Sequence, residues 1–249
     1  MVGGLRKLKV LSMTALYPGP ESSGTGLFVQ ARLLRLGKLA EVTVMAPAPL
    51  LCLGEGIRLS QRSEPQLDGP LTVLRPRWMY APGLEAALPL ELAAGVARPF
   101  LEVFRRERFD VVDAHFGYPT GVAAALLAAV VGRPFVVTLR GSERIHAQSA
   151  LPRRWQQWMV ARAAAVIGVA KPLRDFAVSL GARPEKCHVI PNGVDSTVFY
   201  PRGRAACRRE LSMEPGALHI VSAGHVIEAK GHHLAAAALP RSEERRVGK

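Results

Sequence analysis

Apolar residues recur along the chain in two alternating patterns: short runs of the length of a buried strand, and longer segments with helical spacing. Strand-like runs cover residues 7–16, 42–46, 71–74, 111–114, 135–139, 165–169 and 187–190. Helical spacing covers residues 26–36, 84–108, 121–131, 151–164 and 172–180. Strands that alternate with helices predict a parallel sheet covered on both faces, so we expect an α/β, doubly wound, Rossmann-like domain.

Proline and glycine interrupt this pattern in two places. Residues 47–70 predict a long loop, of a kind that can cover a binding site. Within the helical segment 84–108, Pro89 and Pro99 each predict a break, because proline lacks an amide hydrogen and its ring clashes with the preceding turn.

The composition changes after Pro191, where a polar, arginine-rich segment begins. We expect a first domain at residues 1–195, a linker at 196–216, and the first β-loop-α unit of a second domain at 217–240. That unit would hold a strand at 217–223 and a helix at 232–239, which alone cannot close a sheet, so the second Rossmann-like domain is expected to be incomplete. Residues 241–249, RSEERRVGK, read like a translated sequencing adapter, which predicts an adapter-derived tail on a gene fragment.

The formal net charge of +13 favours an anionic partner, such as a sugar nucleotide, an acidic lipid headgroup or a nucleic acid. Aromatic residues make up only 6% of the chain and do not interleave with basic stretches, so we expect no nucleic-acid partner. No apolar stretch reaches the roughly 20 residues that cross a bilayer, and the amino terminus lacks a secretory signal. Three scattered cysteines indicate neither a disulfide framework nor a zinc site, so a cytoplasmic location is expected.

In open α/β sheets, ligands bind beyond the carboxyl ends of the strands, which makes the loops there the first places to search. Gly24 and Gly26 lie in the first such loop, where backbone amides at a helix start can approach a phosphate, although a tight turn explains them equally well. His115 directly follows strand 111–114 and can hydrogen-bond a sugar hydroxyl. The alternative is a histidine that makes only local hydrogen bonds.

Two further strand ends carry polar residues. Arg140 and Glu143 place a cation and a carboxylate after strand 135–139, where an ordinary surface turn is the alternative. Asn192 belongs to an Asn-Gly pair that favours a left-handed turn, and Asp195 is able to cap the segment that follows it.

The second domain carries its own candidate cation. Lys230 lies on the loop after Gly224 and can neutralise a diphosphate leaving group, although an exposed, solvated lysine is the alternative. The adjacent His232 and His233 point in different directions on a helix and have no evident third ligand, so no metal site is expected.

Taken together, these segments resemble the GT-B glycosyltransferases of family 4 over nearly the whole natural chain. The residues that carry the resemblance are 18–36, 110–143 (DVVDAHFGYPTGVAAALLAAVVGRPFVVTLRGSE), 186–201 (KCHVIPNGVDSTVFYP) and 222–233 (SAGHVIEAKGHH). The run at 186–201 is the most specific of these.

The resemblance implies two facing Rossmann-like domains, with the acceptor bound mainly by the first domain and a nucleotide-sugar donor mainly by the second. It also implies transfer with retention of anomeric configuration and no metal or other cofactor. His115 would be catalytic through contact with the transferred sugar. The other residues that match the family's motifs would have two roles. Gly24, Gly26, Lys230 and His225 would bind the donor phosphates. The residues that would line the cleft are Arg140, Glu143, Asn192 and Asp195.

Three departures bear on this interpretation. His225 stands where the family often has arginine, and Glu143 stands where it often has aspartate. The paired glutamates that hold the donor in the family's second domain do not occur before the chain ends.

We therefore expect a hexosyltransferase-type enzyme of polysaccharide or cell-envelope glycan synthesis, here as a fragment with little or no activity. The alternative is a non-catalytic Rossmann-like module that binds a nucleotide. Peripheral contact with an anionic membrane at its inner face is compatible with the first interpretation, because arginines cluster near a partly apolar helix at positions 98, 105, 106 and 108.

Overall fold

The computed structural model describes residues 6–19, 23–53, 57–59, 65–79, 83–214, 217–224 and 226–247. The strands are β1 (Lys9–Thr14), β2 (Glu41–Met45), β3 (Ala48–Pro49), β4 (Leu51–Leu53), β5 (Ile57–Leu59), β6 (Gln66–Asp68), β7 (Leu71–Leu74), β8 (Arg77–Trp78), β9 (Val111–His115), β10 (Phe135–Leu139), β11 (Ala165–Gly168) and β12 (Cys187–Val189). The α-helices are α1 (Leu27–Leu36), α2 (Leu88–Glu107), α3 (Val122–Val130), α4 (Glu143–His146), α5 (Ala150–Arg162), α6 (Lys171–Ser179), α7 (Arg204–Glu210) and α8 (His232–Val247).

An eight-stranded sheet organises the first part of the chain, in the order β12-β11-β10-β9-β1-β2-β7-β6. Neighbouring strands from β12 to β7 run parallel, and β6 pairs antiparallel with β7 at one edge. The predicted doubly wound, parallel Rossmann-like sheet is therefore confirmed. The loops that follow β1, β9, β10 and β12 lie at the carboxyl edge of this sheet.

Side chains of the central strands alternate between two apolar clusters, one on each face of the sheet. On β1, Val10 packs in the cluster that contains Val29 and Leu33 of α1. Leu11 and Met13 pack in the other, larger cluster, which contains residues of α2, α3 and α5. This two-sided burial is what continuous apolar strands require.

Helix α2 corrects two predictions. Pro89 lies in its first turn, where the missing amide hydrogen has no helical partner anyway, and it therefore marks the helix start rather than a break. Pro99 lies inside the helix, which continues through it, so the predicted break there was wrong. Val96 and Phe100, on either side of Pro99, are fully buried, and we attribute the continuity to this packing, which outweighs one lost hydrogen bond.

The predicted loop at 47–70 also proved to contain regular structure. It holds β3, the antiparallel pair of β4 with β5, and the edge strand β6. These strands have at most three residues each, which is too short for a hydrophobic period to reveal them.

The chain divides into two compact units, residues 1–193 and 194–249, where the sequence predicts a domain end at 195. The described part of the second unit contains α7, α8 and a short 3₁₀ helix at Glu228–Lys230, and no strand. The predicted strand at 217–223 was therefore wrong. Leu218, Ile220 and Val221 are mostly exposed, and a strand requires a neighbouring strand to pair its backbone groups. Helix α8 begins at His232, as predicted, and runs on through Val247.

Candidate functional site

Three of the predicted site residues come together at the carboxyl edge of the sheet. His115 is the last residue of β9, Arg140 follows β10, and Asn192 lies beyond β12. The Arg140 guanidinium connects the other two, since Nη1 donates to Asn192 Oδ1 at 3.0 Å and Nη2 lies 3.2 Å from His115 Nδ1. Residues far apart in the chain therefore meet where parallel α/β sheets bind ligands.

His115 is a buried, neutral histidine with a defined tautomer. A guanidinium can only donate, so Nδ1 accepts from Arg140 and the ring proton is on Nε2, which lies 3.3 Å from Asp113 Oδ2. The angle to Asp113 is too poor for a regular hydrogen bond. Burial lowers the pKa of His115 to about 4, with Arg140 and Arg32 lowering it further and Asp113 opposing them. His115 is only 1% exposed. A ligand that approaches the site therefore meets Arg140 before it meets His115.

Sequence reasoning missed three residues of the same site: Ser12, Asp113 and Arg32. The Asp113 carboxylate accepts a hydrogen bond from Ser12 Oγ at 2.7 Å, and the two residues lie opposite each other in the register of β9 and β1. Arg32 of α1 donates to the carbonyl oxygen of Ile190 at 3.3 Å. The sequence contains a signal for two of them, because Ser12 and Asp113 are polar residues inside strands and each has apolar neighbours on both sides. We call Ser12, Asp113, His115, Arg140, Asn192 and Arg32 the strand-end cluster.

The strand-end cluster contains two cations. Arg32 and Arg140 are both partly buried, and Asp113 is the carboxylate within the cluster that attracts them. Burial, reinforced by Arg32, lowers the pKa of Arg140 to about 10, which still leaves the guanidinium charged at neutral pH. The Arg140 guanidinium also lies 4.9 Å from the ring centre of Phe28 on α1. Two carboxylates, Asp113 and Glu143, act on Arg140. Glu143 is completely buried and its carboxylate is held by backbone amides, so an anion that approaches the cluster meets the guanidinium of Arg140 rather than this carboxylate.

Glu143 stabilises the loops that carry this site. Its carboxylate accepts hydrogen bonds from the backbone amides of Gly117 at 2.8 Å, Arg140 at 3.1 Å and Gly141 at 2.6 Å. The residue is completely buried, so it ties the loops after β9 and β10 together and does not face solvent. A Cβ at Gly117 would lie 2.9 Å from Glu143 Cγ, which explains why glycine occupies that position.

The residue after His115 has a strained backbone. Phe116 has φ 71° and ψ 131°, a conformation that non-glycine residues rarely adopt and that costs on the order of 1–3 kcal/mol. Its amide donates to the Thr138 carbonyl oxygen at 2.9 Å, and its own carbonyl oxygen accepts from Gly121 at 2.9 Å. Such strain persists only where surrounding bonds hold it, and it concentrates at functional sites.

The two glycines of the first loop differ in how strictly their positions require glycine. Gly26 precedes α1 with φ 75°, and a Cβ there would lie 2.3 Å from the Leu16 carbonyl oxygen. Gly24 has open space around the position of its missing Cβ. The start of α1 thus depends on Gly26, and the predicted phosphate contact of both glycines stays a prediction.

The remaining predicted residues belong to the second unit or are not described. Asp195 Oδ1 accepts hydrogen bonds from the amide and hydroxyl of Thr197, at 3.0 and 2.6 Å, which is a local capping arrangement. Lys230 is exposed at the end of the 3₁₀ turn Glu228–Lys230. His225 lies outside the described residues. The predicted convergence of Lys230 with His115 stays a prediction.

Among the described residues there is no cluster of three or more potential metal ligands. The same residues include no helix with the length and apolar character needed to span a bilayer.

Comparison with known proteins identifies relatives over most of the chain. The model of Glycosyltransferase Family 4 matches residues 28–198. The chain is 26% identical to TuaC of Bacillus subtilis, named as a teichuronic acid biosynthesis glycosyltransferase, over 90% of this chain and 60% of that protein. It is 29% identical to the alpha-maltose-1-phosphate synthase of Mycolicibacterium smegmatis, over 93% of this chain and 57% of that protein. The chain thus spans less than two thirds of the length of these relatives.

Solved structures show a similar fold. Anabaena Alr3699/HepE in complex with UDP and glucose superimposes with a TM-score of 0.50 and 19% identity, over 82% of this chain and 50% of that one. Sucrose-phosphate synthase from Thermosynechococcus elongatus superimposes with a TM-score of 0.53 and 12% identity, over 83% and 53% of the two chains. Together with the family match across residues 28–198, the sheet order and the strand-end residues lead to one assignment: this chain belongs to glycosyltransferase family 4.

Proposed function

We propose that the protein to which this chain belongs transfers a hexose from a nucleotide-sugar donor to an acceptor in polysaccharide or cell-envelope glycan synthesis. Family membership supports the reaction class. The name of TuaC refers to teichuronic acid biosynthesis, which supports a role in glycan synthesis. The solved HepE complex contains UDP and glucose, which supports a nucleotide-sugar donor.

The observation that carries the proposal is the pair of partly buried guanidiniums in the strand-end cluster, Arg32 and Arg140. Arg140 lies at the carboxyl edge of a parallel sheet and against Phe28 in the first turn of α1, whose amide dipoles also favour an anion. Arg32 lies further along the same helix and bonds to the Ile190 carbonyl oxygen beyond β12. A nucleotide-sugar donor carries a diphosphate, and its negative charge grows on the leaving group as the bond to the sugar breaks. Fixed cations therefore stabilise the transition state more than the bound donor.

The residues of the first unit take distinct parts in this proposal. Arg140 attracts the donor, and neutral His115 holds the guanidinium through Nδ1 in one orientation. His115 contacts the transferred sugar once donor binding makes its ring accessible. The backbone amides of Gly24 and Gly26 approach the phosphates, Asn192 anchors Arg140, and Glu143 holds the loops in place.

In the second unit, Lys230 and His225 would neutralise the diphosphate, and Asp195 would shape the adjoining turn. We propose retention of anomeric configuration and no requirement for a metal or other cofactor. Contact with an anionic membrane surface through the arginines at positions 98, 105, 106 and 108, on α2 and directly after it, belongs to the same proposal.

We further propose that the 249-residue chain alone has little or no transferase activity. The described residues of its second unit contain no strand, and a nucleotide-binding sheet therefore has no counterpart there. Sugar transfer by the purified chain would contradict this statement.

The test compares donors on a longer gene product that contains this chain. UDP- and GDP-sugars should bind by calorimetry and should support transfer, whereas NAD should not bind. Binding of nucleotides without any transfer would favour the alternative, a non-catalytic nucleotide-binding module. The anomeric configuration of the product, read by NMR, tests retention.

A further inference from the structure

An open cavity with a mixed polar and apolar lining lies on the side of α1 that faces away from the strand-end cluster. Its volume is about 450 Å³, within the range of roughly 300–1,000 Å³ that is typical of small-molecule sites. Its polar lining comprises the side chains of Tyr17, Ser23, Gln30, Gln66, Asp68 and Arg75.

Helical geometry separates this cavity from the site already described. Phe28 and Arg32 are one turn apart on α1 and contact Arg140 and the Ile190 carbonyl oxygen of the strand-end region. Leu27 and Gln30 are also one turn apart, on another side of the helix, and both line the cavity. The two sites therefore share one helix but use different faces of it.

The cavity wall is a preformed set of donors and acceptors. One oxygen of the Asp68 carboxylate accepts from Tyr17 Oη at 2.6 Å and from Gln30 Nε2 at 2.8 Å, which fixes the carboxylate in place. Arg75 bonds to the Pro18 carbonyl oxygen, and its guanidinium lies 5.8 Å from the ring centre of Tyr17. These contacts hold the polar groups before any ligand arrives, which reduces the entropy lost on binding.

Arg75 brings a guanidinium to the wall. Its Nε is buried and has no hydrogen-bond partner among the described residues, so this atom can meet a ligand oxygen only if the side chain shifts. Gly19 allows the guanidinium to lie against the loop, since a Cβ there would be 3.2 Å from Arg75 Cζ.

The charges of the wall restrict the class of ligand. Among the described residues of the wall, Asp68 and Arg75 carry opposite charges, and the other polar side chains are neutral hydroxyls and amides. Neither an anion nor a cation is favoured overall, whereas a neutral molecule with many hydroxyl groups can both donate to the carboxylate and accept from the guanidinium and amides. The ring of Tyr17 and the side chain of Leu27 provide apolar surface for the carbon face of a sugar ring.

We propose that this cavity is a second carbohydrate site, which binds a neutral hexose unit independently of the nucleotide-sugar donor. The hexose is either a free sugar or the end of a glycan chain, and both present the same hydroxyl pattern to the wall.

The test uses the full 249-residue chain and ligand-detected NMR with glucose, mannose and the trisaccharide maltotriose, without nucleotide. Saturable binding of at least one of these sugars is expected, and Asp68→Asn should weaken it about ten-fold, because it replaces a charged acceptor with a neutral one of the same shape. Gln66→Ala removes an exposed wall amide and should weaken binding about three-fold. Glu185→Gln, an exposed carboxylate beside β12 at the opposite edge of the sheet, is the matched control and should change nothing.

The absence of saturable binding by all three sugars would overturn the proposal, and so would unchanged affinity in a folded Asp68→Asn variant. If circular dichroism shows that Asp68→Asn is unfolded, Gln66→Ala decides in the same way. Tighter binding of maltotriose than of glucose identifies a glycan end as the occupant, and equal binding identifies a free sugar. Because no nucleotide is present, the result stands whether or not the transferase proposal survives.

Discussion

The buried neutral state of His115 makes the stability of the first unit depend on pH. In the unfolded chain a histidine titrates near its ordinary pKa of 6.5, whereas burial lowers the folded-state pKa of His115 to about 4. Between these values the unfolded chain binds a proton that the folded chain does not, so the folded state loses stability as the pH falls from 6.5 towards 4. The full difference corresponds to roughly 3 kcal/mol, of which about 2 kcal/mol is already lost at pH 5.

The comparison of wild type with His115→Gln isolates this contribution. Glutamine retains an acceptor for Arg140 but cannot bind a proton in this range, so the variant should lose about 2 kcal/mol less than wild type between pH 7 and pH 5. Urea unfolding followed by tryptophan fluorescence measures the loss, and the chain's three tryptophans, Trp78, Trp155 and Trp158, all lie in the first unit. Equal losses in both proteins would refute the assignment of His115 as a buried neutral group.

Three further predictions concern the supports of the site and its charge. Glu143→Ala should reduce the free energy of unfolding by about 2–4 kcal/mol, because buried amides lose their acceptor; a urea midpoint close to wild type would contradict this. Gly26→Ala should cost at least about 1–3 kcal/mol, since its Cβ would lie 2.3 Å from a backbone oxygen, whereas Gly24→Ala should stay within about 0.5 kcal/mol in the same assay. In the longer gene product, Arg140→Gln should weaken nucleotide-sugar binding about ten-fold by calorimetry, and Arg98→Gln, an exposed arginine of α2, should not; equal affinities would argue against Arg140 as a donor contact.

Much of the fold could be predicted because the central strands are buried on both faces. Continuous apolar runs such as 135–139 predict buried strands, and the observed β10 has the same bounds as this run. The strand expected at 217–223 was wrong for the complementary reason: valine and isoleucine favour a strand only when a partner strand accepts their backbone hydrogen bonds. The break expected at Pro99 failed because packing of the neighbouring residues outweighed a local preference.

The site could be predicted only in part. His115, Arg140 and Asn192 were found because their positions at strand ends follow from topology. Arg32 was not, because it lies on a helix, and nothing in the sequence shows that its side chain approaches the ends of other strands. Glu143 was placed at the right strand end, but its complete burial depends on amides from two loops, and this three-dimensional arrangement has no sequence signal.

The hydrogen bonds of Glu143 have a mechanical consequence. The buried Glu143 carboxylate accepts hydrogen bonds from the backbone after β9 and from the backbone after β10. A shift of one segment therefore changes the position of the other. A displacement at Arg140 is thereby transmitted to Gly117, next to the strained Phe116. Substitutions in one of these segments should therefore alter the behaviour of the other, even where their side chains never touch.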